Sequence, residues 1–193
     1  MLHGDGAEPD VVLPDLMLPG DLRRVRRMVD DLLEISRYDQ DRSTFELVDL
    51  TELVLAVTRH HGAVAPDAVD VAARPWIVGN RRRLERVVVN LLDNATRHGN
   101  GLVRPGITRA GGRARVEVDD AGPGVPAADR EHVFERFSRG SPADREATDS
   151  GLGLALVAQH VHDHDGRTWA EDRPGGGARF VVELPEAPPP ATG

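Results

Sequence analysis

The stretch RVVVNLLDNATRHG (Arg86–Gly99) determines how this sequence is interpreted. Aliphatic residues in and just before it recur at helical spacing and predict an amphipathic helix with a broad apolar stripe: Leu84, Val87, Val88, Leu91, Leu92 and Ala95. Two asparagines, Asn90 and Asn94, lie one turn apart beside that stripe. Asparagine is a mediocre helix former and is costly to bury without hydrogen-bond partners. The two amides therefore need partners on this face, either a bound ligand or buried backbone groups.

Length and composition exclude several classes of protein. The chain has 193 residues, 39% of them hydrophobic, which is enough for one domain with an aliphatic core. A net charge of −8 argues against nucleic-acid binding, and the absence of cysteine excludes disulfides and thiolate metal sites. All 24 basic residues are arginine, so no phosphate site can depend on lysine. Because no apolar run approaches the roughly 18 residues of a membrane span, and the N-terminus lacks a signal peptide's apolar segment, we expect a cytoplasmic protein.

The pattern of the whole chain predicts an α+β fold. Helices are expected over 22–38, 49–62 with Asp49 as N-cap, 80–98, 128–137 and 150–164. Strands are expected over 69–72, 76–78, 102–108, 113–118, 167–171 and 179–184. Because the helices and strands do not alternate strictly, the order favours a two-layer arrangement. A mixed, mostly antiparallel sheet would carry the helices on one face.

Two glycine-containing stretches have the chemistry of a binding site. In DAGPG (Asp120–Gly124), a carboxylate precedes two glycines, so backbone can approach a flat ligand. In SGLGLAL (Ser150–Leu156), glycines open a helix whose free N–H groups suit a phosphate. The second stretch is neither a Walker A loop nor a Rossmann turn. Alone, the first stretch is better explained as an ordinary turn, and the second is equally well explained as an ordinary helix start.

Together these stretches resemble the ATP-binding domain of sensor histidine kinases, a Bergerat fold shared with gyrase-type ATPases. NLLDNATRH resembles the N box and DAGPG, about 25 residues later, the G1 box. FERF (Phe134–Phe137) resembles the F box and SGLGLALV the G2 box. The resemblance covers residues 22–185 and has all four boxes in the family's order. It implies ATP and Mg²⁺ as cofactors.

The resemblance assigns roles to the N box and the G1 box. Asn94 would ligate Mg²⁺, since an amide oxygen is a hard, neutral ligand. Asn90 would orient the phosphates or a metal-bound water, and Arg97 would meet phosphate charge. Asp120 would accept a hydrogen bond from the adenine amino group, which guanine lacks at that position. The remaining residues implied in the nucleotide site are Gly122, Gly124, Phe134, Phe137, Arg139, Gly151, Leu152 and Gly153.

The resemblance also divides the chain. Residues 1–21 would be a flexible segment and 22–43 the remnant of a second dimerisation helix with its linker. The ATP-binding domain would span 44–186, with an ATP lid at 138–149, and 187–193 would be a disordered tail. The apolar face of helix 22–38 would support a dimer.

No segment of the chain resembles the family's phospho-acceptor helix, and His3 lacks the expected context. We therefore expect the acceptor histidine on a partner chain or a missing N-terminal part. From there the phosphoryl group would pass to a response regulator.

Two alternatives are left open. Asp149 occupies a position where the family often has glycine, and an extra carboxylate near phosphates favours a degenerate nucleotide-binding or partner-binding module. An anti-sigma-type serine kinase has the same fold, but serine loses a proton as it attacks, so a carboxylate base is useful. Gyrase-type ATPases have glutamate where this chain has Asn90, which favours histidine as the acceptor. His160 and His164 have metal-ligand spacing, although they also fit an ordinary helix end.

Overall fold

The structure is a computed structural model that describes residues 44–62, 65–135 and 152–191. The predicted helix 22–38 and ATP lid 138–149 lie outside these residues. So do Phe137, Arg139 and Gly151 of the predicted nucleotide site.

The described residues contain three α-helices, which form one layer: α1 (Leu50–His61), α2 (Arg81–His98) and α3 (Gly153–His162). Asp49 is the N-cap of α1, as predicted, and its Oδ1 accepts hydrogen bonds from the N–H groups of Thr51 and Glu52. Asn80 is the N-cap of α2, where its Oδ1 accepts from the N–H of Arg83 at 3.0 Å. No helix in the described ranges is both long enough and apolar enough to cross a membrane.

Seven strands form the second layer and a small side sheet. Their bounds are β1 (Glu46–Asp49), β2 (Asp70–Val71), β3 (Trp76–Gly79), β4 (Leu102–Ala110), β5 (Arg113–Asp120), β6 (Arg167–Asp172) and β7 (Ala178–Pro185). The main sheet has the order β2-β4-β5-β7-β6, in which only β2 and β4 are parallel. Strands β1 and β3 form a separate antiparallel pair. The prediction of a mixed, mostly antiparallel sheet with helices on one face is confirmed.

The core lies between α2, α3 and the inner face of the main sheet. All six residues of the predicted stripe on α2 are buried: Leu84, Val87, Val88, Leu91, Leu92 and Ala95. They meet alternate residues of the two central strands: Ala114, Val116, Val118, Phe180, Val182 and Leu184. Asp120 follows in the same alternation, so it is also on the helix side of the sheet.

Two local predictions differ from the structure. Strand β1 was not predicted, because it has only four residues and is stabilised by pairing with a distant strand. The α-helix predicted over 128–137 is wrong across its described part, where turns lead into one 3₁₀ turn (His132–Phe134). Only two residues of that part, Val133 and Phe134, pack against the core, and a single turn is enough to bring both into contact with it.

Backbone pairing also extends past the end of β7. The N–H of Ala187 donates to the carbonyl of Trp76 at 2.7 Å. Paired chain therefore reaches one residue beyond the predicted domain boundary at 186.

Candidate nucleotide site

Asp120, the last residue of β5, is held by backbone donors on one oxygen only. Its Oδ1 accepts hydrogen bonds from the N–H groups of Gly122 and Ala178, both at 2.9 Å. The residue is 4% exposed. Among the described residues no donor bonds to Oδ2. One carboxylate oxygen is thus saturated while the other is left to accept a hydrogen bond from a ligand.

Three glycines form a close cradle around Asp120. A Cβ on Gly99 would collide with the Asp120 side chain, and one on Gly177 would collide with the Asp120 carbonyl oxygen. A Cβ on Gly122 would lie 2.9 Å from Cα of Gly99 and 3.2 Å from Oδ1. Gly177 also has a φ of +95°, a conformation that favours glycine. No other residue type fits at Gly99 or Gly177 without moving Asp120, and a side chain at Gly122 would displace Gly99.

Gly99 connects this carboxylate to the asparagine helix. It is the C-cap of α2, its N–H donates to the carbonyl of Ala95, and its own carbonyl accepts from the N–H of Ala121. The end of α2 is therefore bonded directly to the turn that follows Asp120. The predicted N-box and G1-box residues are on adjoining elements.

The two asparagines of α2 have different surroundings. Nδ2 of Asn90 donates to the carbonyl of Gly153 at 3.2 Å, so Asn90 joins α2 to the first turn of α3. This bond leaves its amide oxygen, Oδ1, without a donor among the described residues. Asn94 is half-buried, and its side chain makes no hydrogen bond within the described ranges. Two amide groups one turn apart therefore retain oxygen atoms for an external ligand.

Arg97 contacts an acid of its own helix. Its Nη2 lies 3.4 Å from Oδ2 of Asp93, one turn earlier, and the other oxygen of Asp93 lies 3.1 Å from Nε2 of His61. Asp93 is therefore shared by Arg97 and His61.

The other predicted residues in the described ranges are anchored by packing. The Phe134 ring meets buried Phe180 edge-on, with ring centres 6.3 Å apart. Leu152 is buried just before α3, and its carbonyl accepts from the N–H of Leu156. Gly124 has a φ of +82°, and a Cβ there would lie 3.5 Å from the carbonyl oxygen of Gly177. The G1 turn and the β6–β7 turn are therefore neighbours.

Gly99, Gly177 and Ala178 were not among the predicted site residues. Gly99 directly follows the predicted helix 80–98, and Gly177 and Ala178 lie between the predicted strands 167–171 and 179–184. A run of three glycines predicts a turn, but it does not indicate whether that turn is exposed or packs against a carboxylate. Only the pairing of β5 with β7 brings Ala178 to Asp120.

His164 has a structural role at the end of α3. Its Nε2 accepts from the N–H of Asn80 at 2.9 Å, so Nδ1 carries the proton and donates to the carbonyl of His160. Phe45 lies against the ring at 4.9 Å between centres. Burial is the main cause that lowers the pKa of His164. Both ring nitrogens are bonded to backbone, which agrees with the helix-end interpretation rather than a metal ligand.

Comparison with protein families adds independent evidence. The sequence model of one family, described as histidine kinase-, DNA gyrase B-, and HSP90-like ATPase, matches residues 79–188. This range contains Asn90, Asn94 and Asp120.

Individual relatives are similar over most of this chain. The signal transduction histidine-protein kinase AfsQ2 of Streptomyces coelicolor is 33% identical over 97% of this chain and 36% of its own length. The ATP-binding domain of PrrB from Mycobacterium tuberculosis matches with a TM-score of 0.57 and 33% identity, over 76% of this chain and 100% of that domain. Full-length ShkA in complex with AMPPNP matches with a TM-score of 0.69 and 26% identity, over 86% of this chain and 37% of that one. The chain spans less than half the length of the curated relatives that it matches.

Proposed function

The chain belongs to the family of histidine kinase-, DNA gyrase B- and HSP90-like ATPases, and from this we propose that it is the catalytic domain of a sensor histidine kinase. It binds Mg-ATP and transfers the γ-phosphoryl group to a histidine, from which a response-regulator aspartate receives it. The observation that carries the proposal is that the carboxylate of Asp120 and the amides of Asn90 and Asn94 lie on adjoining elements, and that no donor among the described residues bonds to Oδ2 of Asp120 or to either amide oxygen.

Asp120 would select the base. Oδ2 of Asp120, to which no donor in the described ranges bonds, can accept a hydrogen bond from an exocyclic amine such as that of adenine. A carbonyl oxygen at that position, as in guanine, would face the carboxylate without a hydrogen. The cradle of Gly99, Gly122 and Gly177 keeps backbone close on three sides, which suits a flat ring.

Asn94 and Asn90 fit a divalent cation with phosphate ligands. Mg²⁺ keeps several waters and takes few protein oxygens, so two neutral amide oxygens are an adequate donor set. When bound, the ion would neutralise phosphate charge. The bond from Asn90 to Gly153 orients its amide, and this is the protein's own contribution to placing the oxygen.

The absence of a carboxylate at position 90 favours a histidine acceptor. The neutral imidazole nitrogen attacks without first losing a proton, so no general base is required. Catalysis then consists mainly of positioning and charge stabilisation. Serine or water as the attacking group would need a base, and Asn90 cannot act as one.

The test is phosphoryl transfer between separate chains. The chain should be incubated with γ-labelled ATP and Mg²⁺, with and without a separate acceptor-helix domain from a sensor kinase. We expect acid-labile label on the acceptor domain and slow hydrolysis in its absence. Acid-stable label would indicate a serine kinase, brisk hydrolysis an ATPase, and nucleotide binding without transfer to any acceptor tested a degenerate module.

A further inference from the structure

The outer face of the main sheet, opposite the helices, carries a cluster of basic side chains. The basic cluster consists of Arg113, Arg115 and Arg167 arranged around Glu183, with Trp169 beside them. Glu183 on β7 is directly opposite Arg115 on one side and Arg167 on the other. None of these residues belongs to the proposed nucleotide site.

All three arginines direct Nε toward Glu183, but only Arg115 and Arg167 form hydrogen bonds with it, whereas Arg113 makes an ion pair without hydrogen-bond geometry. Their Nε atoms lie 2.9 Å, 2.7 Å and 2.8 Å from its carboxylate oxygens, in the order Arg113, Arg115, Arg167. The Glu183 side chain is only 1% exposed because the arginines cover it, while that of Arg167 is 65% exposed. In the described part of the chain, the terminal nitrogens of Arg115 and Arg167 have no hydrogen-bond partner. Each guanidinium therefore retains donors for a planar anion.

Trp169 holds the two guanidinium groups before any partner arrives. The guanidinium carbons of Arg115 and Arg167 lie 5.4 Å and 5.3 Å from the centre of its indole ring. The indole N–H is itself fixed by a hydrogen bond of 2.8 Å to Glu171. Less side-chain entropy is lost on binding when the contacting groups are already ordered. Tryptophan and arginine are also the residues most enriched at the energetic centres of protein interfaces.

Charge selects the kind of partner. Three arginines and one glutamate leave two positive charges in excess, in a chain whose net charge is −8. The adjacent part of the same face, toward the end of β5, carries three acids around Arg179: Glu117, Asp119 and Glu171. This acidic neighbouring area is therefore negatively charged. An extended polyanion such as nucleic acid would cover both areas and meet repulsion over the second. A short acidic segment fits the basic cluster alone.

We propose that the basic cluster is a docking site for an acidic segment of a partner protein. Two carboxylates of that segment form charge-assisted hydrogen bonds with the terminal nitrogens of Arg115 and Arg167. The acidic neighbouring area determines the orientation of the bound segment, because it repels further carboxylates on that side.

Tryptophan resonances provide the test, since the chain has two tryptophans and only Trp169 belongs to the cluster. A short acetylated peptide of alternating glutamate and aspartate is titrated into the full chain with ¹⁵N-labelled tryptophan. We expect the Trp169 indole resonance to shift saturably while that of Trp76 on β3 stays in place. The double variant Arg115→Gln/Arg167→Gln should weaken binding by about tenfold or more. Arg167→Gln alone leaves Arg113 and Arg115 on Glu183 and should weaken binding even if the double variant does not fold.

The matched control is Arg104→Gln/Arg109→Gln, which removes the same charge from the same sheet. These arginines pair with Asp70 and Glu186, away from Trp169. Absence of a saturable shift at millimolar peptide would overturn the proposal. So would an equal loss in the control variant, or equal binding of a DNA duplex, because either would show attraction that depends on charge alone.

Discussion

Asp119 and Asp120 are adjacent acids with different partners, because successive residues of a strand face opposite sides of a sheet. Asp119 forms two hydrogen bonds with Arg179 on the outer face, at 2.7 Å and 2.9 Å, and these bonds are the main cause that raises the pKa of Arg179. Within the described part of the chain, Asp120 is bonded only to backbone N–H groups, through a single oxygen. A carboxylate-to-amide substitution at Asp119 therefore tests ion pairing, and the same substitution at Asp120 tests the proposed recognition of the nucleotide.

Asp120→Asn should weaken ATP binding by at least about tenfold, or 1.4 kcal/mol. The amide oxygen can keep both backbone bonds, which places an NH₂ donor where Oδ2 was, facing the amino group of adenine. Calorimetric titration with ATP and GTP measures this. Asp119→Asn is the control and should lower stability while retaining the preference for ATP. Equal affinity of the native chain for ATP and GTP would contradict the role given to Asp120.

Asn94→Ala should abolish the gain in ATP affinity that Mg²⁺ provides, with little change in melting temperature. Its side chain makes no hydrogen bond in the described ranges, so truncation should cost within about 0.5 kcal/mol of stability. Asn90→Ala is the comparison and should lose about 1 kcal/mol, since it breaks the bond to Gly153. Titrations with and without Mg²⁺, combined with thermal melts, separate the two effects. If Asn94→Ala retains the full Mg²⁺ effect, the metal ligand is elsewhere.

At the scale of elements, the turn between β6 and β7 positions Asp120 through its last residue. Gly175, Gly176 and Gly177 all have φ values between +95° and +98°. A Cβ on Gly175 or Gly176 would meet nothing within 4 Å, whereas one on Gly177 would overlap the Asp120 backbone. Gly175 is therefore a control for Gly177, because it has the same backbone conformation without the contact to Asp120.

Gly177→Ala should reduce both stability and nucleotide affinity, and Gly175→Ala should reduce stability alone. Both variants force alanine into a disfavoured conformation, at a cost of about 1–3 kcal/mol. Only Gly177→Ala also displaces Asp120. Denaturant unfolding and ADP titration of the two variants compare the effects. Equal ADP affinity in both would show that the turn does not position the carboxylate.

At the scale of the whole molecule, two buried ionisable groups should make stability depend on pH in separate windows. The pKa of His164 lies below its usual value of 6.5, so the unfolded chain takes up a proton first as the pH falls. Its contribution to stability is therefore complete above 6.5 and is lost on acidification below it. Burial raises the pKa of Glu183, but the hydrogen bonds and charges of Arg167 and Arg115 outweigh it and hold the pKa below 4.5. Glu183 thus stabilises the fold above that pH and ceases to do so below it.

His164→Gln should flatten the fall in stability that accompanies acidification below pH 6.5, as measured by urea unfolding at fixed ionic strength. His132→Gln is the matched control. The hydrogen bond to Glu135 raises the pKa of His132, so its contribution is greatest at low pH and is lost as the pH rises. His132→Gln should therefore retain the fall in stability that His164 causes on acidification. An unchanged slope in His164→Gln would place the titrating group elsewhere.

The sequence was sufficient to predict the fold class and the features that depend on a single helix or strand. The stripe on α2, the N-cap at Asp49 and six of the seven strands follow from local periodicity and turn chemistry. Contacts between elements distant in sequence were not predictable in this way. β1 exists only because β3 pairs with it, and Gly99, Gly177 and Ala178 join the site only through the packing of α2, β5 and β7. The basic cluster was not predicted for the same reason, since its arginines are on β5 and β6 and its glutamate is on β7.

The cradle around Asp120 has a consequence for inhibitor design. The groups that hold this carboxylate are backbone N–H groups and the bare Cα atoms of glycines. A substitution at Gly99 or Gly177 that shifted Asp120 away from a drug would also shift it away from the natural nucleotide. Replacement of Asp120 itself would lose the same hydrogen bond for both. Resistance to a compound anchored on Oδ2 would therefore have to arise at other contacts, which makes that atom a durable point of attachment.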